Sequence, residues 1–393
     1  MTPRRLLPVL LPLLLLALPP GLRAAAASPF QDPEMARPID DGLRALYDLD
    51  YEAARQNFTV LAEKFPDDPI GQYALTTTHW WELTNEFDEQ NPALEKKFIE
   101  AAERTVVIAR EKIRRGDPGG EAHLCLGGAL GLMSRWDAIQ GHWFRAYRHG
   151  KQAFNAQEKA LKINPQLHDA GLGVGIFHYY TATLPRVVKL LAKLVFGGNK
   201  EQGLAEIRRA MTQGRFSRTA AKLFLVGIYN NNEKNYTEAL ALVREGRQEF
   251  PRSSFFHFLE ILTLENIGDW AAMRQEAESF IRRVESGDFS YRKKYLHRAY
   301  FALGNSSLGE KKPAEAVAYY DRVIRDLPSE DRWVTWTYLN RGKAHDLLGR
   351  REQALSDYRA VLQRRDVWGM HDQAEDYISR PYAGLPGRDS PIK

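Results

Sequence analysis

The chain has 393 residues, with 55 Lys and Arg against 50 Asp and Glu. Arg4, Arg5 and Arg23 fall in the first 27 residues, which hold no acid, so the formal charge of +5 drops to +2 beyond them. That surplus gives no electrostatic case for nucleic acid, the single Cys125 excludes an internal disulfide, and 44% hydrophobic residues suffice for a large core.

The chain opens on Met1-Thr2-Pro3-Arg4-Arg5, an apolar run from Leu6 to Leu18, Pro19-Pro20 and the alanines 24–27. A basic start, a short apolar stretch and a small-residue end are the pattern of a secretory leader. The run is shorter than the roughly 20 residues a spanning helix needs, so cleavage is expected after Ala26 or Ala27. The expected destination is the periplasm of a Gram-negative bacterium, or otherwise secretion. No cysteine follows the run to carry a lipid.

Residues 28–217 read as irregular helical hairpins, 218–379 as more regular ones, and 380–393 as a disordered tail. The first hairpin covers 35–68 and turns at Asp48-Leu49-Asp50. A helix carrying Tyr73, Trp80 and Trp81 follows, then a long one from Pro92 to about Arg115, broken by Gly116-Asp117-Pro118-Gly119-Gly120. Helices are expected at about 121–138 and 142–162, then a pair within 168–215 interrupted by an amphipathic insertion helix over 184–196. Later repeats begin near 220, 254, 297 and 335, with Gly268-Asp269-Trp270 and Leu348-Gly349-Arg350 as inner turns and an excess of nine residues around 285–291.

A spacing runs through these segments. Gly42/Ala54/Pro66, Gly141/Ala153/Pro165, Gly227/Ala239/Pro251 and Gly304/Ala316/Pro328 each repeat an interval of twelve, and Gly342/Ala354 lacks only the proline. Small residues at this spacing let two antiparallel helices touch, and proline ends the second helix because it cannot continue the hydrogen-bond ladder. Four residues past the alanine stand Phe58, Val243, Tyr320 and Tyr358, with Gln157 as the exception. The pattern resembles the tetratricopeptide repeat, which implies an all-α, right-handed α-solenoid of stacked antiparallel hairpins. Residues 40–260 further resemble exported bacterial repeat proteins related to the Iml2/tetratricopeptide-39 group. The resemblance lies in Ala45-Leu-Tyr-Asp-Leu-Asp-Tyr-Glu-Ala-Ala, in Tyr179-Tyr180 ahead of Leu184-Pro185, and in Gly197-Gly198.

Chemistry is sparse. No zinc-protease, nucleophile-elbow, P-loop or paired-cysteine pattern occurs, so no catalytic residue, metal or cofactor is expected. Gly171-x-Gly173-x-Gly175 lacks the preceding strand of a dinucleotide loop and reads as helix packing. The aromatics Trp80, Trp81, Trp136, Trp143, Tyr179 and Tyr180 either fill the gaps between hairpins or line a concave groove.

Charge is sorted along the chain. Residues 32–137 hold 12 basic and 21 acidic side chains, and residues 145–222 hold 14 basic and 4 acidic. Either a stretch of the solenoid presents a positive field, or the two segments neutralise each other. Arg186, Lys189 and Lys193 form one stripe of the insertion helix, with Lys200 beyond it, and are candidate contacts to a partner or to an anionic membrane. The expected function is a non-catalytic exported scaffold that binds a protein or peptide. Its rivals are a peripheral binder of anionic membrane or envelope polymer through 145–222, and an enzyme with an unrecognised site.

Overall fold

The structure, a computed structural model, describes residues 33–86, 91–183, 198–328, 332–366 and 369–384. Seventeen α-helices make up the described part: α1 Pro33–Tyr47, α2 Tyr51–Lys64, α3 Pro69–Glu86, α4 Pro92–Arg115, α5 Glu121–Ile139, α6 Trp143–Ile163, α7 Ala170–Thr183, α8 Lys200–Gln213 and α9 Arg218–Ile228. They continue with α10 Tyr236–Glu249, α11 Ser254–Ile267, α12 Trp270–Glu285, α13 Leu296–Gly309, α14 Pro313–Asp326, α15 Arg332–Leu347, α16 Arg351–Leu362 and α17 Met370–Ser379. Each packs on its neighbours in sequence, giving eight antiparallel hairpins and a terminal helix, the α-solenoid expected. The leader, the insertion 184–196 and most of the tail lie outside the described residues.

Local chemistry sets the helix ends. Asp50, Asn91 and Asp269 accept the N–H of the third following residue, at 3.1, 3.0 and 3.1 Å, each satisfying an otherwise orphaned donor. Pro66, Pro165, Pro251 and Pro328 each follow the C-cap residue and forbid continuation. Six hairpin turns place one residue in the left-handed region: Leu49, Gly141, Lys234, Gly268, Lys311 and Gly349.

That last fact corrects one triplet. Gly141 has φ 76° and sits in the α5–α6 turn with no atom within 4 Å of a Cβ added to it, so it is not a packing glycine. Within this hairpin the glycine that faces Gln157 is Gly127, where an added Cβ would come 2.6 Å from the side chain. Gly127 and Gln157 are 30 residues apart, whereas Gly42–Phe58, Gly304–Tyr320 and Gly342–Tyr358 are 16 apart. The difference is two helical turns added to each arm. Gly227 also meets nothing within 4 Å, because Val243 is short and α9 ends in a π-turn, Tyr229–Glu233. The alanines of the pattern are all buried.

The solenoid also touches itself far from its sequence neighbours. Tyr47 of α1 packs on Phe250, and Trp81 of α3 meets both Tyr47 and Phe255 of α11 edge-on, with ring centroids 5.4 to 5.7 Å apart. The N-terminal hairpins therefore dock against the middle of the chain.

Candidate functional site

Most of the aromatics proposed for a groove are structural. Trp80 and Trp136 are buried around Phe98, and the Trp136 indole N–H donates to Glu95 at 3.2 Å. Trp81 belongs to the contact with Phe255. Tyr179 is buried and donates its hydroxyl to Glu233 at 2.5 Å, while the ammonium of Lys200 holds the other oxygen of the same carboxylate at 2.6 Å. Burial opposes ionisation of Glu233, but those two hydrogen bonds prevail and keep its carboxyl below the usual range. Lys200 is thus a latch between α8 and the π-turn after α9. Trp143 and Tyr180 are the exposed members of the set. Arg186, Lys189 and Lys193 lie outside the described residues.

The structure adds a polar ladder that no sequence motif announced. Asn230 donates to Thr263 at 3.0 Å, Asn305 to Glu265 at 2.8 Å, and Asn340 to Asn305 at 3.0 Å, while the Tyr320 hydroxyl also donates to Asn305 at 2.7 Å. The ladder joins one hairpin to the next through their buried first helices. Desolvation pushes the Glu265 carboxyl up to about 7, against the opposing pull of Asn305 and Lys343. The available sequence clue is the 35-residue interval from Asn305 to Asn340, close to a repeat length.

Two of the histidines each serve a carboxylate. His149 meets Asp137 at 2.8 Å and His178 meets Glu206 at 2.8 Å. Among the described residues no group of three or more His, Cys, Asp or Glu could hold a metal ion. Cys125 is buried, and burial raises its thiol well above the usual value, which leaves it an inert packing group.

One open cleft, of about 580 Å³, lies between α4, α5 and α6. Ile113, Leu126 and Leu130 contribute apolar surface to it, and Arg110, Arg114 and Lys159 contribute charge. Its form follows from composition: Gly127 and Gly128 bring α5 close against Gln157 and Tyr73, and α4 and α6 stand on either side.

Sequence comparison accounts for these hairpins. The model described as Tetratricopeptide repeat matches residues 297–325 and 337–366, which span α13–α14 and α15–α16. The chain contains tetratricopeptide repeats. The model described as Iml2/Tetratricopeptide repeat protein 39 matches 84–271, so it begins after the 45–54 stretch and runs on through the turn into α12. Among solved structures, the repeat protein is similar to yeast Tom70 at 9% identity and TM-score 0.43, covering 85% of this chain and 86% of that one. It is also similar to the P58(IPK) TPR domain at 16% identity and TM-score 0.25, covering 88% of this chain and 98% of the other.

Proposed function

We propose that this tetratricopeptide repeat protein is an exported, non-catalytic scaffold of the cell envelope, and that it holds an acidic, amphipathic segment of a protein partner in the α4–α5–α6 cleft. The cleft carries the reading. An apolar surface bordered by cations suits a helix whose apolar face docks while its acidic flank meets Arg110, Arg114 and Lys159. Export rests on the leader pattern alone.

The test is photo-crosslinking in the native envelope, with the reactive side chain placed at Asn155. A specific partner should be captured through an acidic segment, and Arg114→Glu/Lys159→Glu should abolish that adduct while leaving the thermal transition unchanged. An identical adduct pattern in both proteins would dismiss the cleft. Mass spectrometry of the protein from its host should show an N-terminus at or near Ala26 to Phe30; an intact Met1 would dismiss export through a cleaved leader.

A further inference from the structure

The long α5–α6 hairpin ends in an exposed aromatic surface. Trp143, Phe144 and Tyr147 are 72%, 78% and 50% exposed on the first two turns of α6. Scattered exposed aromatics are ordinary, but three on consecutive turns of one helix mark a contact surface. Side chains lean toward a helix N-terminus, so these rings overhang the end of the hairpin instead of lying along its flank.

The first turns of α6 carry cations and no acid, although Glu95 of α4 reaches Trp136 near the end of α5. Residues 138–157 contain no Asp or Glu, and neither does α7, which begins the neighbouring hairpin. Asp137, in the last turn of α5, is buried, with one oxygen 3.0 Å from Arg145 and the other 2.8 Å from His149. Arg148 projects from the same turns and is exposed.

From this combination we infer that the α5–α6 tip inserts Trp143, Phe144 and Tyr147 into the interface of an anionic lipid bilayer, with Arg148 set against the headgroups. Tryptophan and tyrosine rings favour the headgroup level, where one edge is apolar and the other wet. Juxtamembrane cations add attraction to anionic lipid. A bilayer accepts a convex, overhanging set of rings without a shaped pocket. A protein partner would have to supply one. The insertion does not depend on the cleft, whose named residues lie toward the opposite ends of α5 and α6. No helix among the described residues is long and apolar enough to span a membrane, so the attachment is peripheral.

The experiment is co-sedimentation of the purified protein with vesicles of phosphatidylglycerol and phosphatidylethanolamine, and with phosphatidylcholine vesicles. Wild type should bind the anionic vesicles and bind phosphatidylcholine far less. Trp143→Ser/Phe144→Ser should lower partitioning tenfold or more without moving the thermal transition, because neither ring is packed. Arg148→Glu should reduce anionic binding several-fold and weaken its salt dependence. Equal partitioning of wild type and the double serine variant overturns the inference, as does absence of binding to either lipid. Loss of a crosslinked protein in the serine variant, without any vesicle binding, would also overturn it and assign the tip to a protein. Arg114→Glu/Lys159→Glu should leave vesicle binding unchanged, so failure of the cleft and failure of the tip are read separately.

Discussion

Arg298 of α13 donates from its guanidinium to the backbone carbonyl of Asn85 at 3.0 Å, across 213 residues of sequence. That carbonyl belongs to the last turn of α3, where no intrahelical donor remains, and a cation is favoured there by the helix dipole as well. With Trp81 against Phe255 and Tyr47 against Phe250, the bond helps fasten the first two hairpins to the fifth, sixth and seventh. Arg298→Met, which keeps the apolar stem, should cost about 1.5–3 kcal/mol if the charged hydrogen bond is lost. Hydrogen exchange should accelerate at the C-terminal turn of α3 before it does in α15. Unchanged exchange there would mean that the hairpins dock by other contacts.

The glycines of the repeat pattern make opposite predictions in two places. A Cβ on Gly304 would sit 2.3 Å from the Tyr320 ring, which is itself buried and held by Asn305. Gly304→Ala should therefore destabilise by roughly 1–3 kcal/mol, the usual range for overpacking. Gly227 has the same place in its triplet but open space around it. There the alanine should stabilise by about 0.5–1 kcal/mol through helix propensity alone. Ala316→Leu, at a fully buried contact, should follow Gly304→Ala. Urea titration of the three variants checks the register; a destabilising Gly227→Ala would refute it.

The two halves of the molecule were unequally legible. Helices and their turns could be read because proline, glycine and capping Asx residues act locally. Hence Asp50, Asn91 and Asp269 mark helix starts, and Pro66 and Pro251 follow helix ends. The α5–α6 register misled because glycine has two uses. Gly141 keeps the interval of twelve by coincidence while serving φ 76°, and Gly127 does the packing. The aromatics misled for a related reason. Composition cannot distinguish Trp136, whose indole is spent on Glu95, from Trp143, which is exposed. The ladder through Asn305 and the contact between Asn85 and Arg298 depend on tertiary proximity, which no periodicity of one chain encodes.

Glu265 and His297 should give stability opposite slopes with pH. Burial raises Glu265 from 4.5 to about 7, so between those values the folded chain keeps a proton that the unfolded chain has released, and stability falls as pH rises. Burial and the neighbouring Arg298 lower His297 from 6.5 to about 3, so in that interval the unfolded chain holds the extra proton and stability rises with pH. Glu265→Gln should gain on wild type between pH 5 and 7 by at most about 1.4 kcal/mol per unit, the full value for one proton. His297→Phe should instead gain as pH falls from 6 toward 4. Chemical denaturation at stepped pH measures both, and parallel curves for Glu265→Gln and wild type would show that Glu265 titrates normally.

Lys222 tests whether the basic stretch is spent inside the fold. Its side chain is 1% exposed, and its ammonium lies 3.0 Å from Glu245 and 2.8 Å from Glu249, both on α10. Arg215 reaches Asp40 at 3.6 Å and Lys200 is committed to Glu233, so cations from this stretch are consumed by their own chain. A buried charge without partners is costly, whereas an apolar side chain of similar length asks for none. Glu245→Gln/Glu249→Gln should therefore destabilise by about 3–5 kcal/mol, while Lys222→Met should be close to neutral or slightly stabilising. Combining Lys222→Met with both glutamine changes should restore most of the loss, since no buried charge then remains. Denaturation of the three proteins at one pH completes the cycle. A triple variant as unstable as the double glutamine would show that Glu245 and Glu249 support α10 by packing and not by holding Lys222.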